Sequence, residues 1–214
     1  MDEEVTIIDS NTRNEKIKNF FINNTRNLIT ATSVIFILLM GYFFLSEIKE
    51  RNRTKLADRF NLALISFEEG QKQKIVNELI YIVKENEATY SPLALYFLLD
   101  KNLIQSNDEI NNLFDTLINE TNLEKEIKNL IIYKKALFNS NFSSENDLLQ
   151  ILNPIINSES IWRSHALYLL AEYFYSKDEK QKAKEFFEKI LVLKDKNIDI
   201  KVKTEKRLNR DFSD

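Results

Sequence analysis

The chain has 214 residues, 30 Lys and Arg against 33 Asp and Glu, one His and no Cys. A net charge of −3 spread evenly along the chain excludes a basic nucleic-acid face. The absence of Cys excludes a disulfide framework, a Cys-type zinc knuckle and a lipidated cysteine anchor.

Met1 to Arg13 is acidic and has little apolar pattern, and is expected to be a largely disordered tail within residues 1–27. Asn14 to Asn23 sets Ile17, Phe20 and Phe21 on one side, as a short helix lying on a membrane surface does.

The stretch LITATSVIFILLMGYFFLSEI, Leu28 to Ile48, follows. Twenty uncharged residues separate Arg26 from Glu47, and a helix of that length spans about 30 Å, the hydrocarbon thickness of a bilayer. A cleavable signal has a shorter apolar region and a small-x-small site, whereas here Tyr42, Phe43, Phe44 and Leu45 lead directly into charge. A buried core helix is the alternative, but aromatics gathered at one end suit a membrane interface. Residues 28–48 are therefore expected to be an uncleaved transmembrane helix. Arg13, Lys16, Lys18 and Arg26 precede it and Lys49, Arg51, Arg53, Lys55 and Arg59 follow it, so charge does not assign an orientation.

Residues 49–214 repeat apolar side chains at helical spacing, as in Phe60, Leu64, Phe67 and in Leu113, Phe114, Leu117, with no strand-like alternation. The fold class is all-α. Turns near Glu69-Gly70-Gln71, Gln105 to Asn107, Ser140 to Ser144 and Ser176 to Asp178 divide four helix hairpins, with Asn107, Ser144 and Asp178 as candidate helix caps. Asn86 to Tyr90, Glu120 to Asn122 and Asn157 to Ser160 separate successive hairpins, and Ile198 to Arg210 forms a closing amphipathic helix.

This spacing fits a tetratricopeptide-like α-solenoid, whose repeat is about 34 residues. With Ser164 as the first position, Leu170, Ala171, Phe174, Ala183, Phe187 and Ile190 occupy the pattern's small and bulky sites. Small residues let two helices approach and aromatics fill the space between turns. Starts at Leu56, Ser91 and Asn129 give degenerate copies: Ala63, Ile75, Leu79 and Ile82; Leu98, Ile110, Phe114 and Leu117; Ala136, Leu148, Leu152 and Ile155. The starts lie 35, 38 and 35 residues apart. Asp195 stands where the pattern's Pro would be. The competing arrangement is an irregular helical bundle.

A short tail, one membrane helix and hairpins ending in WRSHALYLLAEYFYSKDEKQKAKEFFEKIL, with ENEATYSPLALYFLLDKNL earlier, resemble the YfgM-like family of bacterial inner-membrane proteins. The resemblance rests on layout and a weak repeat pattern. It implies an ancillary partner of the Sec translocon, with a cytoplasmic tail and a periplasmic repeat domain, assisting exported chains or their hand-over to periplasmic chaperones. The alternative function is a scaffold in another envelope complex, for outer-membrane assembly or cell division.

No enzyme is expected. His165 is the only histidine, and Gly41 and Gly70 are the only glycines, too few for a phosphate-binding loop or a nucleophile elbow. Asp178, Glu179 and Glu185 lie beside lysines, as on a solvated ion-paired helix face. No cofactor, metal, nucleic acid or small-molecule substrate is expected. The hollow side of the first helix in each hairpin supplies the candidate site: Phe60, Leu64 and Phe67, then Leu95 and Leu99, then Tyr133 and Leu137, then Tyr168, Glu172 and Tyr175. Exposed aromatic and apolar surface of this kind captures extended segments or partner helices. The opposing expectation is that these side chains are buried against neighbouring helices.

Overall fold

A computed structural model describes residues 2–68 and 70–212. Met1, the first residue of the expected tail, and Glu69, the first residue of an expected turn, lie outside the described residues, as do Ser213 and Asp214. The described residues form α-helices and no strand: α1 (Asp2–Asn23), α2 (Thr25–Glu68), α3 (Lys72–Lys84), α4 (Tyr90–Asp100), α5 (Asn107–Glu120), α6 (Lys125–Asn139), α7 (Glu145–Ile156), α8 (Arg163–Ser176), α9 (Lys180–Leu191) and α10 (Ile198–Asp211). The chain divides into two compact units, Met1–Lys55 and Leu56–Asp214.

In the first unit the tail expected to be disordered forms α1. No Gly or Pro interrupts residues 2–23, so backbone hydrogen bonding is unopposed there, although residues 13–22 are exposed and bury no apolar face. The helical path is barely interrupted before α2, since the Asn24 amide donates to the Phe20 carbonyl at 3.0 Å and the Leu28 amide to the Asn24 carbonyl at 2.9 Å. α2 contains the one stretch among the described residues that is long and apolar enough to cross a membrane. Its large apolar side chains from Ile29 to Leu45 are 50 to 68 % exposed. The hydroxyls within it are satisfied by their own helix: Thr30, Thr32 and Ser33 donate to the carbonyls of Arg26, Leu28 and Ile29 at 2.8 to 2.9 Å. A segment in hydrocarbon requires such internal pairing, because no water is there to supply it. The expected boundary after Ile48 falls inside this helix, and the second unit begins at Leu56.

The second unit joins each helix to the next through a short turn, with α3 on α4, α5 on α6, α6 on α7, α7 on α8, α8 on α9, and α10 on both α8 and α9. Helix ends are set by left-handed stops. Gly70, Asn86, Asn102 and Asp178 have φ of 86°, 55°, 49° and 62°. After α4 the Leu103 amide donates to the Leu98 carbonyl at 2.9 Å, and after α8 the Glu179 amide donates to the Phe174 carbonyl, also at 2.9 Å. Asn and Asp here take the place usually given to Gly, because their short polar side chains tolerate this conformation. Asp178 is thus a stop for α8 and not the cap of α9, whose cap position is Glu179. Ser144 caps α7 as expected, accepting from the Asp147 amide at 3.3 Å, but Ser106 and not Asn107 caps α5, accepting from the Glu109 amide at 3.2 Å.

The positions that the repeat spacing assigned as small and bulky are buried: Ala63, Ile75, Leu79 and Ile82; Leu98, Ile110, Phe114 and Leu117; Ala136, Leu148, Leu152 and Ile155; Ala171, Ala183, Phe187 and Ile190. Their apolar surface forms two clusters that meet at α6, where Ile131 belongs to the first and Ile132 and Ala136 to the second. Neighbouring residues of one helix thus serve cores on either side of it. Polar ties join α6 to the segment that leads into α8. Ser160 donates to the Glu126 carboxylate at 2.7 Å, the Trp162 indole to the Glu126 carbonyl at 3.1 Å, and the buried Asn129 amide to Ser160 at 3.0 Å.

Candidate interaction surface

The expected apolar groove does not run the length of the domain. Phe60 and Leu95 are buried in the first cluster, and Phe60 lies 6.0 Å from the Tyr90 ring. Leu64, Phe67 and Leu99 pack against the same cluster, with Phe67 edge-on to Phe97 at 5.3 Å. The row is closed here because the end of α2, α3 and α4 cover the side chains that periodicity alone left facing outward.

On α6 the row is partly open. Leu137 is 48 % exposed. Tyr133 stacks on Trp162 at 5.9 Å and meets His165 edge-on at the same separation, while Trp162 and His165 are 5.2 Å apart. Burial raises the Tyr133 phenol above its ordinary pKa. Burial first and the nearby Lys203 charge second lower that of His165.

On α8 the row is covered by α10. The Arg207 guanidinium makes a two-pronged pair with the Glu172 carboxylate at 2.7 and 2.6 Å, lies 4.3 Å from the Tyr175 ring centroid and also bonds Asp211. Phe212 meets Tyr175 and Phe187 edge-on at 5.8 and 6.0 Å. Tyr168 lies 5.5 Å from Phe187, and its pKa is pushed up to about 12 by burial and then by its bond to Glu172. Hydrogen bonding to Glu172 raises the pKa of Arg207, and hydrogen bonding to Arg210 lowers that of Asp211. Both shifts strengthen the charged forms.

Of the ten residues expected to line one groove, Tyr168, Glu172 and Tyr175 come together, Tyr133 and Leu137 stand on α6, and Phe60, Leu64, Phe67, Leu95 and Leu99 belong to packing. Periodicity did not reveal a hollow of about 470 Å³ between α5, α6 and α7. There Asn111 and Asn139 exchange amide hydrogen bonds at 3.0 and 2.7 Å, and Lys135 pairs with Asp115 at 2.6 Å. Its one trace in the sequence is Asn139, a polar residue at a buried helical position. Among the described residues no group of three or more His, Asp or Glu is arranged to hold a metal ion. No family model, no curated protein and no solved structure matches the chain.

Proposed function

We propose that the protein is a single-pass membrane-anchored interaction protein without catalytic activity, its second unit a tetratricopeptide-like solenoid of four helix hairpins. One observation carries this reading: a lipid-compatible stretch in α2, with its large apolar side chains from Ile29 to Leu45 exposed and the hydroxyls of Thr30, Thr32 and Ser33 internally bonded, precedes a set of helices whose repeat positions are all buried. An exposed apolar helix of this length needs lipid around it. Helical arrays present extended surfaces for other polypeptides, and the half-open row at Tyr133 and Leu137 is the surface that remains for them. The partners are subunits of the Sec translocon, exported chains or periplasmic chaperones, with α1 in the cytoplasm, the anchor in a bacterial inner membrane and the second unit in the periplasm. This assignment rests on the layout shared with the YfgM-like family.

The test uses a photo-reactive residue at Leu137 in intact cells. The reading expects adducts with translocon subunits, exported chains or periplasmic chaperones, and a correctly inserted protein that yields none of them overturns the Sec assignment. A periplasm-active reporter joined after Asp214 is expected to be active. Activity of only a cytoplasm-active reporter reverses the orientation.

A further inference from the structure

The inner row of the array is treated differently on two equivalent helices. On α6, Leu137 remains open. On α8, Glu172 and Tyr175 are occupied by α10, a helix outside the four hairpins. α10 is poorly suited to be a permanent part of the core. Only Ile200 and Thr204 are buried, against seven residues on α8; Leu208 is half-buried against the second cluster, and Ile198 and Val202 face solvent. It carries five basic and three acidic side chains, and besides the 3.3 Å bond from the Asn197 amide to Ser164 and the half-buried packing of Leu208 and Phe212 it holds α8 through the ion pair of Arg207. That guanidinium joins a two-pronged carboxylate pair with a cation–π contact, a combination specific in geometry yet weakened by salt and competition. A terminal array helix needs a polar outer face. It does not need an arginine inserted into the row that would otherwise bind a partner.

We propose that α10 is an intramolecular ligand: it occupies a docking surface on α8, built from Glu172, Tyr168 and Tyr175, that receives a basic amphipathic helix of a partner protein presenting an arginine in the place of Arg207. The chain's own helix is the template for that partner, since it supplies the charge and the aromatic neighbour that the surface fits. The proposal rests on the interaction-protein reading but not on the Sec assignment.

Two measurements on the full-length protein in lipid nanodiscs test it. Hydrogen exchange of the unaltered chain is expected to release α10 amides at least a hundredfold faster than those of Leu167 to Phe174, as a displaceable helix requires. Equal protection of α10 and α8 overturns the proposal. A labelled peptide of residues 197–212 serves as the partner probe. Binding is expected to be at least tenfold tighter to Arg207→Ala than to the unaltered chain, and lost again in Glu172→Arg/Arg207→Ala. A peptide that binds none of the three, or binds the double variant as well as the single one, also overturns the proposal. Should Arg207→Ala fail to fold, the exchange experiment decides alone. No translocon subunit or exported chain enters either measurement, so failure here is distinct from failure of crosslinking at Leu137.

Discussion

The apolar stretch of α2 and the helix α4 are built from the same kind of residues and have opposite surroundings. α4, YSPLALYFLLD, is apolar nearly all round, and Ala94, Leu95 and Leu98 are buried among its neighbours. From Ile29 to Leu45, α2 is equally apolar and no large side chain is covered. Apolarity therefore does not decide whether a helix belongs to a core or to lipid. Length does: α4 has 11 residues, too short to span and short enough to cover, whereas twenty uncharged residues match the bilayer.

The contrast breaks most sharply under truncation of one Phe in each setting. Phe174→Ala, in the core, is expected to lower the unfolding free energy by about 3–5 kcal/mol, while Phe36→Ala in the exposed stretch leaves the denaturant midpoint of the second unit unchanged. Equal effects would mean that the α2 stretch is packed against the domain. Next in size, Leu38→Arg at the centre of that stretch costs about 2.5–3.5 kcal/mol of insertion. It is expected to shift protein into the alkaline-extractable fraction, whereas an Arg at exposed Val192 is not. Ser144→Ala removes the α7 cap and is expected to cost about 1 kcal/mol, measured as a lower thermal midpoint.

The smallest effect is one of pH. Because burial and Lys203 hold the folded His165 below the ordinary imidazole pKa, the unfolded chain takes up the proton first. The neutral ring's contribution is fully present above the unfolded value of about 6.5 and is lost as pH falls through the folded one. His165→Gln is expected to flatten the pH dependence of stability in that window.

Much of the molecule was legible in local pattern. The ends of α3, α5 and α7 fall at the polar breaks, and Ala63, Leu98, Ala136 and Ala171 are all buried as the repeat spacing required. The caps were less legible. Asp178 suits the start of a helix or a left-handed stop equally well, and only backbone geometry separates the two. The candidate site was the least legible. Phe60 and Leu95 satisfy the same periodic rule as Leu137, yet they are core and it is not.

The sequence by itself determined the helical class, the span-length apolar stretch and buried positions such as Ala63, Leu98, Ala136 and Ala171, because these follow from spacing along a single element. Tertiary structure alone decided which part of the hollow side stays open. That depends on which distant helix arrives to cover it: α10 reaches Glu172 across 35 residues of chain, and no periodicity within α8 records the visitor.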